Sequence, residues 1–439
     1  MDAADRLFPE HLAVLSRTAD RALAASEGEA LLIGAGQLRT QFLDDRTDPF
    51  VANPHFRHWA PILDAPGSFV LHRPGKRPTL LFHQPKDYWH KPPVLPNASW
   101  MASFDVTVIR HPQEAQKQLP AHTVYIGDDS FKERDRWGFK SINPVATMAC
   151  LHYARAVKTP YELACMREAA ALGARAHRAA ADALATGASE YAIHLAYLAA
   201  TGLTEAELPY SNIIAANESG AVLHHTDLAR VAPSPYRSLL IDAGAQVRGY
   251  ASDITRTYAT AAGPFQELIH SMDQLQQGLC AAVQPGVHYP DIHLQAHRQI
   301  GQLLIDHGLI LCSLEQALET DLTSIFFPHG IGHLLGLQVH DIGGHQQDEQ
   351  GTITPPPKNH PYLRLTRTLL PGMVVTIEPG IYFIPMLLER AKQDGRRSLI
   401  HWERIEALLP YGGVRIEDDV VATEEGADNL SRAGFSALN

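Results

Sequence analysis

SLLIDAGAQVRGYASDITRTYA, residues 238–259, reads as two apolar strands around a turn, each carrying one aspartate. If the turn centres on Val247-Arg248, Asp242 and Asp253 lie directly opposite each other. Opposed residues of an antiparallel pair hold their Cβ atoms roughly 4.5–5.5 Å apart. Two facing carboxylates repel, and burial makes the repulsion worse. Leu239-Leu240-Ile241 implies a buried strand, so something positive is expected between the acids. The plainer alternative is a solvated aspartate at each strand end.

Two later stretches repeat the pattern with glutamate. MVVTIEPGIYFI (373–384) reads as a strand with Glu378 closing its apolar part, ahead of Pro379. GGVRIEDDVVAT (412–423) reads as another, with Glu417 inside it. Either glutamate alone fits an edge-strand carboxylate facing water. Four acids, each embedded in apolar strand, fit that reading poorly. Between them lies PHGIGHLLGLQVHD (328–341), with His329, His333 and His340. The spacing of His329 and His333 suits a helical metal pair, but Gly330, Gly332 and Gly336 are poor helix formers. Glycines here suggest backbone that turns or lies close to something; a loop with surface histidines is the alternative. Four carboxylates and one imidazole make a hard, oxygen-rich site suited to Mn²⁺, Co²⁺ or Fe²⁺, with Zn²⁺ admissible. Four negative charges around one divalent ion leave a net negative site, so the acid count points to two ions. Paired ions roughly 3.5–4 Å apart serve hydrolytic chemistry.

The rest of the chain frames this cluster. Its 439 residues allow one to three domains. With 45% hydrophobic and 19% charged residues it reads as an ordinary soluble globular protein. A net charge of −11 argues against nucleic acid and anionic membrane as partners. The four cysteines form no CxxC, which fits reduced thiols in a cytoplasmic enzyme. The N-terminus has no apolar signal core, and no apolar run reaches the ~18 residues of a membrane span. Residues 11–26 have helical periodicity, and ALLIGAG (30–36), DVTVIRHP and TVYIGDD read as strands. Residues 68–85 read as a hairpin turning at Pro74-Gly75-Lys76. Thr159, Pro160 and Glu162 spell a capping box opening a helix to about residue 186, followed by helices over 189–201, 264–282 and 290–307. Domains are therefore expected at 1–154 and 155–439, the second with strands on either side of a helix pair, as in two related halves.

IDAGAQVRGYASDITRT, HGIGHLLGLQVHD, TIEPGIYF and GGVRIEDDVV together resemble the metal-dependent creatinase/methionine-aminopeptidase superfamily, the pita-bread fold. Within it the chain most resembles the bacterial Xaa-Pro dipeptidases (prolidases), a subfamily shared with organophosphorus acid anhydrolases. FLDDRTDPFVANPHFRHWAP (42–61) and LPYSNIIAANESGAVLHHT (208–226) extend the likeness. The resemblance implies an α/β (α+β) chain, a creatinase-like N-terminal domain followed by a pita-bread catalytic domain. It implies Asp242, Asp253, His333, Glu378 and Glu417 as ligands of two divalent ions, Mn²⁺ first, with Asp253 and Glu417 bridging. It implies His340 at the scissile carbonyl or tetrahedral intermediate and His224, rather than His225, closing on the substrate. Arg364 would grip the C-terminal carboxylate, for which a forked guanidinium is apt. Tyr210 would line the pocket for the N-terminal residue, unless it is a core tyrosine, and His329 would form pocket wall. Arg415 lies on the same face of its strand as Glu417 and would hold the ligands or balance their charge.

The implied activity is hydrolysis of Xaa-Pro dipeptides by a metal-bridging hydroxide, with Glu378 as general base and then proton donor to the proline nitrogen. Rival readings are an aminopeptidase P acting on longer peptides, a phosphotriester hydrolase (with some such side activity expected in any case), and a scaffold protein without chemistry. Retention of all five ligand positions argues against the last. A homodimer is implied, with Asp45 reaching towards the partner's site unless it is an ordinary loop residue.

Overall fold

The computed structural model describes residues 3–438; residues 1, 2 and 439, at the outer ends of the two expected domains, lie outside the described residues. Helix α1 (Ala3–Ser26) buries Phe8, Leu12, Leu15, Ala19 and Leu23 on one stripe, the helical spacing of an amphipathic face. It packs beside a six-stranded mixed sheet. In chain order the elements are β1 (Ala30–Gly34), α2 (Pro54–Trp59), β2 (Phe69–His72), β3 (Thr79–His83), β4 (Asp105–Ile109), β5 (Thr123–Ile126) and β6 (Ser141–Ile142). The sheet order is β4-β3-β2-β1-β5-β6. β2 and β3 form the expected hairpin, with Gly75 at positive φ in its turn. α3 (Val145–Arg155) leads out of this layer.

The next helix, α4 (Pro160–Ala185), starts at the expected capping box: Glu162 accepts from the Thr159 backbone N–H at 2.8 Å, and Thr159 accepts from the Glu162 N–H. With α5 (Glu190–Thr201) it covers a three-stranded sheet of β7 (Ile213–Ala216), β8 (Ser238–Ala243) and β11 (Ile254–Ala259). Ala176, Ala180, Ile193 and Tyr197 bury against Ile214, Leu239 and Ile241. The short pair β9 (Gln246–Val247) and β10 (Tyr250–Ala251) joins β8 to β11. Helices α6 (Pro264–Ala281) and α7 (Tyr289–Asp306) follow, then the short α8 (Leu314–Glu319) and α9 (Thr323–Phe326). The remaining elements are β12 (Val374–Ile377), β13 (Gly380–Tyr382), α10 (Pro385–Gln393), α11 (Trp402–Leu408), β14 (Gly413–Arg415), β15 (Asp418–Thr423), β16 (Gly426–Asn429) and α12 (Leu430–Ser436). β12-β15-β16 form one sheet and β13-β14 another. Leu268, Met272, Ile292 and Ile300 of α6 and α7 pack on Val375, Ile377, Ile381 and Val420 of these strands. The result is the pita-bread arrangement: strands meeting in the middle, helix pairs outside.

Two expectations need correction. Asp242 pairs with Thr255, not Asp253. The Val247–Tyr250 pair places the turn at Arg248-Gly249, both at positive φ. A turn on Val247-Arg248 would have forced a β-branched residue into that region, whereas glycine enters it freely. Asp253 precedes Thr255 by two, so the aspartates still share a face, on a diagonal rather than head-on. The two long strands expected around Glu378 and Glu417 are each broken at the glutamate: β12 stops before Glu378-Pro379, and β14 and β15 flank Ile416-Glu417. Pro379 has no N–H for a ladder, and the break aims each side chain inward between two sheets.

A buried charge triad ties α3 to the loop after the histidine stretch. Asp341 accepts from Arg155 Nε at 3.1 Å and Lys158 Nζ at 2.9 Å, and a second Arg155 contact reaches it through Nη2. All three side chains are about 1% exposed. Burial alone would push the Asp341 carboxyl up, but the two cations hold it down at about 2. Because the folded-state value lies below the ordinary 3.8, the stabilisation is complete above about pH 4 and fades as pH falls towards 2. We expect this group to remove about 2 kcal/mol over that window. An acid titration of urea midpoints should show the extra loss in wild type and not in Asp341→Asn.

Candidate metal centre

His333 is placed by an irregular segment lying along β12. Its N–H donates to Thr376 Oγ1, the Thr376 N–H to the His333 carbonyl, and the Glu378 N–H to the Ile331 carbonyl. Gly332 sits at φ +154°, and a Cβ there would come within 2.0 Å of the Thr376 carbonyl oxygen. This is the close backbone approach that a glycine permits. His333 Nδ1–H donates to the Leu334 carbonyl at 3.0 Å. That leaves Nε2 facing the acids, 3.5 Å from both Asp253 Oδ2 and Glu378 Oε1. A ring fixed this way is oriented as a metal ligand.

The other donors close around that nitrogen. Donor atoms of Asp253, His333 and Glu417 lie within 4.8 Å of one another. Asp242 joins through Tyr210, whose hydroxyl is 2.8 Å from Asp242 Oδ1 and 2.5 Å from Asp253 Oδ1. A phenol has one proton to donate, so two ionised carboxylates at these distances need a further positive charge. Burial pushes Glu378 up to about 7 and drives Glu417 well up, with the neighbouring acids adding repulsion. Asp242 is raised by burial in the same way. Asp253 is raised by burial but held below the ordinary range by the His333 contact. A buried cluster of acids that resist ionising together is a donor set that fits divalent cations.

Behind the donors runs a hydrogen-bond chain. The buried Arg415 donates to Asp242 Oδ2 at 2.6 Å, to Thr255 Oγ1 at 3.2 Å and to the Tyr382 hydroxyl at 2.9 Å. Thr255 donates to Glu417 Oε2 at 2.6 Å. The Tyr382 hydroxyl is 2.8 Å from His329 Nε2, and His329 Nδ1–H donates to the Gly330 carbonyl. Arg415 thus orients the acids and balances their charge. His329 lines the cavity but has both ring nitrogens engaged, so its place is in the wall. Burial holds its imidazole down at about 3. Tyr382, Thr255 and Thr376 were not singled out by sequence reading; only their alternation with the acids along the same strands could have flagged them.

The cluster floors a cavity of about 640 Å³, the size of a small-ligand site. Tyr210, His224, His340, Arg364, Tyr362 and Met386 also line it. The His340 ring stands edge-on to His333 at 4.4 Å, and burial holds its imidazole at about 4. The exposed Arg364 makes no hydrogen bond or ion pair among the described residues. His225 turns away to Glu190, 3.1 Å from its carboxylate. Tyr210 lines the cavity, with its hydroxyl pointing to the two aspartates. Asp45 stands on an exposed loop and does not line the cavity.

Residues 6–153 match the family profile described as "Xaa-Pro dipeptidase, N-terminal domain", and residues 164–424 match "Metallopeptidase family M24". The chain is 49% identical to the Xaa-Pro dipeptidase of Stenotrophomonas maltophilia over 434 residues, covering 99% of this chain and 98% of that one. It is 48% identical to the Xaa-Pro dipeptidase of Xanthomonas campestris, covering 98% of each. Among solved structures, aminopeptidase PepP of Pseudomonas aeruginosa superposes with a TM-score of 0.73 at 21% identity, over 98% of both chains. Proline aminopeptidase P II of Yersinia pestis gives 0.72 at 22% identity over the whole of each. At that identity the likeness is one of fold. Profiles, relatives and buried donor cluster agree, and the chain belongs to metallopeptidase family M24, among its Xaa-Pro dipeptidases.

Proposed function

We propose that this metallopeptidase cleaves Xaa-Pro dipeptides in the cavity above the acid cluster. The observation that carries the reading is the guanidinium of Arg364, unpaired among the described residues, lining the same cavity as Asp242, Asp253, His333, Glu378 and Glu417. Asp242, Asp253, His333, Glu378 and Glu417 would hold two divalent ions, with Mn²⁺ the proposed metal. Such a pair supplies positive charge for a developing oxyanion and lowers the pKa of water. Arg364 pairs with the substrate's C-terminal carboxylate, fixing the distance from that end to the scissile bond. His340, neutral at pH 7, donates an N–H to the carbonyl oxygen as charge develops there. His224, which lines the same cavity, closes on the substrate. Glu378 takes a proton from the attacking water and passes it to the proline nitrogen, which cannot leave without one. Proline lacks an amide N–H, so ring shape and carboxylate select the substrate. The chain is proposed to divide near residue 155, to work in the cytoplasm, and to pair as a homodimer in which Asp45 serves the partner's site.

A fixed carboxylate anchor limits length. Ala-Pro should be cleaved much faster than Ala-Pro-Ala-Ala, and Arg364→Met should raise KM for Ala-Pro by about 10- to 100-fold, the worth of a charged hydrogen-bond pair. Equal rates on both peptides, with Arg364→Met indifferent, would move the assignment to an aminopeptidase acting on longer chains.

A further inference from the structure

Away from the acid cluster, three imidazoles meet behind the cavity wall. His293 and His297 lie four residues apart on α7 and share one face. His360 comes from the turn where its N–H donates to the Pro357 carbonyl and the Leu363 N–H to its own. The ring centroids are 4.5 Å (His293–His360), 4.6 Å (His293–His297) and 4.6 Å (His297–His360) apart. One donor nitrogen from each lies within 4.8 Å of the others. His293 is 1% exposed and His297 3%.

The hydrogen bonding here is incomplete in a telling way. Neither ring nitrogen of His293 has a partner among the described residues, a rare and costly state for a buried imidazole. His297 Nδ1 is 2.8 Å from Thr323 Oγ1, which leaves Nε2 for the cluster. Another group, His11, His58 and Glu162, looks similar by proximity but is internally satisfied. His11 contacts Thr159 Oγ1 and the His58 carbonyl, and Glu162 receives the Thr159 N–H, His58 and the Tyr250 hydroxyl. That network needs no ion; in the three-imidazole group both ring nitrogens of His293 are left without a partner among the described residues.

We propose that His293, His297 and His360 form a three-imidazole site for a Zn²⁺-type cation, separate from the acid cluster. The all-nitrogen donor set suits zinc and its neighbours, unlike the oxygen-rich catalytic set. Burial holds His293 at about 2 and His297 at about 3, so both are neutral ligands at pH 7. Metal–nitrogen bonds of about 2.0–2.1 Å in a tetrahedron set the nitrogens about 3.4 Å apart. The half-buried His360 turn must therefore close inward slightly. Its partial exposure leaves the fourth position open to water. The Phe327 ring separates this site from the cavity, 5.8 Å from His293, 5.1 Å from His297 and 4.8 Å from His329. Arg364 follows His360 by four residues, so an ion here clamps the turn that delivers the substrate anchor.

The test is zinc stoichiometry of full-length protein, stripped with chelator and dialysed against buffered micromolar Zn²⁺. Wild type should hold one equivalent more than His360→Gln, and Asp253→Asn should lose zinc from the acid cluster yet still drop by one equivalent when His360→Gln is added. His297→Gln should reproduce the loss. Equal zinc in wild type and both histidine variants, each with an unchanged far-UV CD spectrum, would overturn the site and leave the catalytic reading untouched.

Discussion

Replacing Glu378 by glutamine is expected to lower kcat on Ala-Pro by about 10²- to 10⁴-fold, the range for removing a positioned proton carrier. The change is nearly isosteric. Glu378 sits in the break between β12 and β13, and its backbone N–H bonds the Ile331 carbonyl whatever the side chain. The fold and Arg364 should therefore be unaffected, and KM should move little. What is lost is the proton acceptor and one carboxylate of the proposed ligand set, together with one charge facing His333 Nε2 at 3.5 Å. Burial already resists ionisation of Glu378, so glutamine should not lower thermal stability in stripped protein. A steady-state comparison beside thermal melts, with and without metal, checks both halves. A variant within threefold of wild type in kcat would remove Glu378 from proton transfer.

The largest effect on stability is expected at Asp341. Asp341→Asn leaves Arg155 and Lys158 buried without their shared carboxylate, and breaking a buried pair from one side costs about 3–5 kcal/mol. The exposed Arg21–Glu349 pair is a control: both side chains are more than a third exposed, and Glu349→Gln should cost under about 1 kcal/mol. Urea midpoints separate the two. Asp341 also sits next to His340, at the end of the segment that carries His333. Its loss should loosen the site through His340 and raise KM as well. Similar midpoints for both variants would mean the triad contributes no more than surface charge.

Local signals in the sequence carried much of this structure. The Thr159–Glu162 box set where α4 starts, because capping is decided within one turn. Pro74-Gly75-Lys76 placed the first hairpin for the same reason. The acids were legible as a group because carboxylates in apolar strands are conspicuous. Their pairing was not: register depends on which residues take positive φ, and choosing Val247-Arg248 over Arg248-Gly249 shifted every partner. Nor does alternation alone say which acid of Glu417-Asp418-Asp419 faces the cavity. The structure turns Asp418 to the back, where it is fully buried and receives Arg256 at 2.6 Å, Arg432 at 2.7 Å, Gln276 and Asn429. Those partners come from β11, from α6 and from the start of α12, three separate stretches of the chain. Tyr382 and the trio formed by His293 and His297 of α7 with His360 were invisible for the same reason: their meaning comes from groups far away in the chain.

Metal-dependent dipeptidase activity can be read from the initial rate of Ala-Pro hydrolysis in chelator-treated protein, with and without added Mn²⁺, beside Asp253→Asn. Cleavage should be negligible after stripping, return with Mn²⁺ in wild type, and fail to return in the variant. Folded, metal-loaded wild type that leaves Ala-Pro intact, or stripped protein that cleaves it at full rate, would contradict metal-dependent dipeptidase activity.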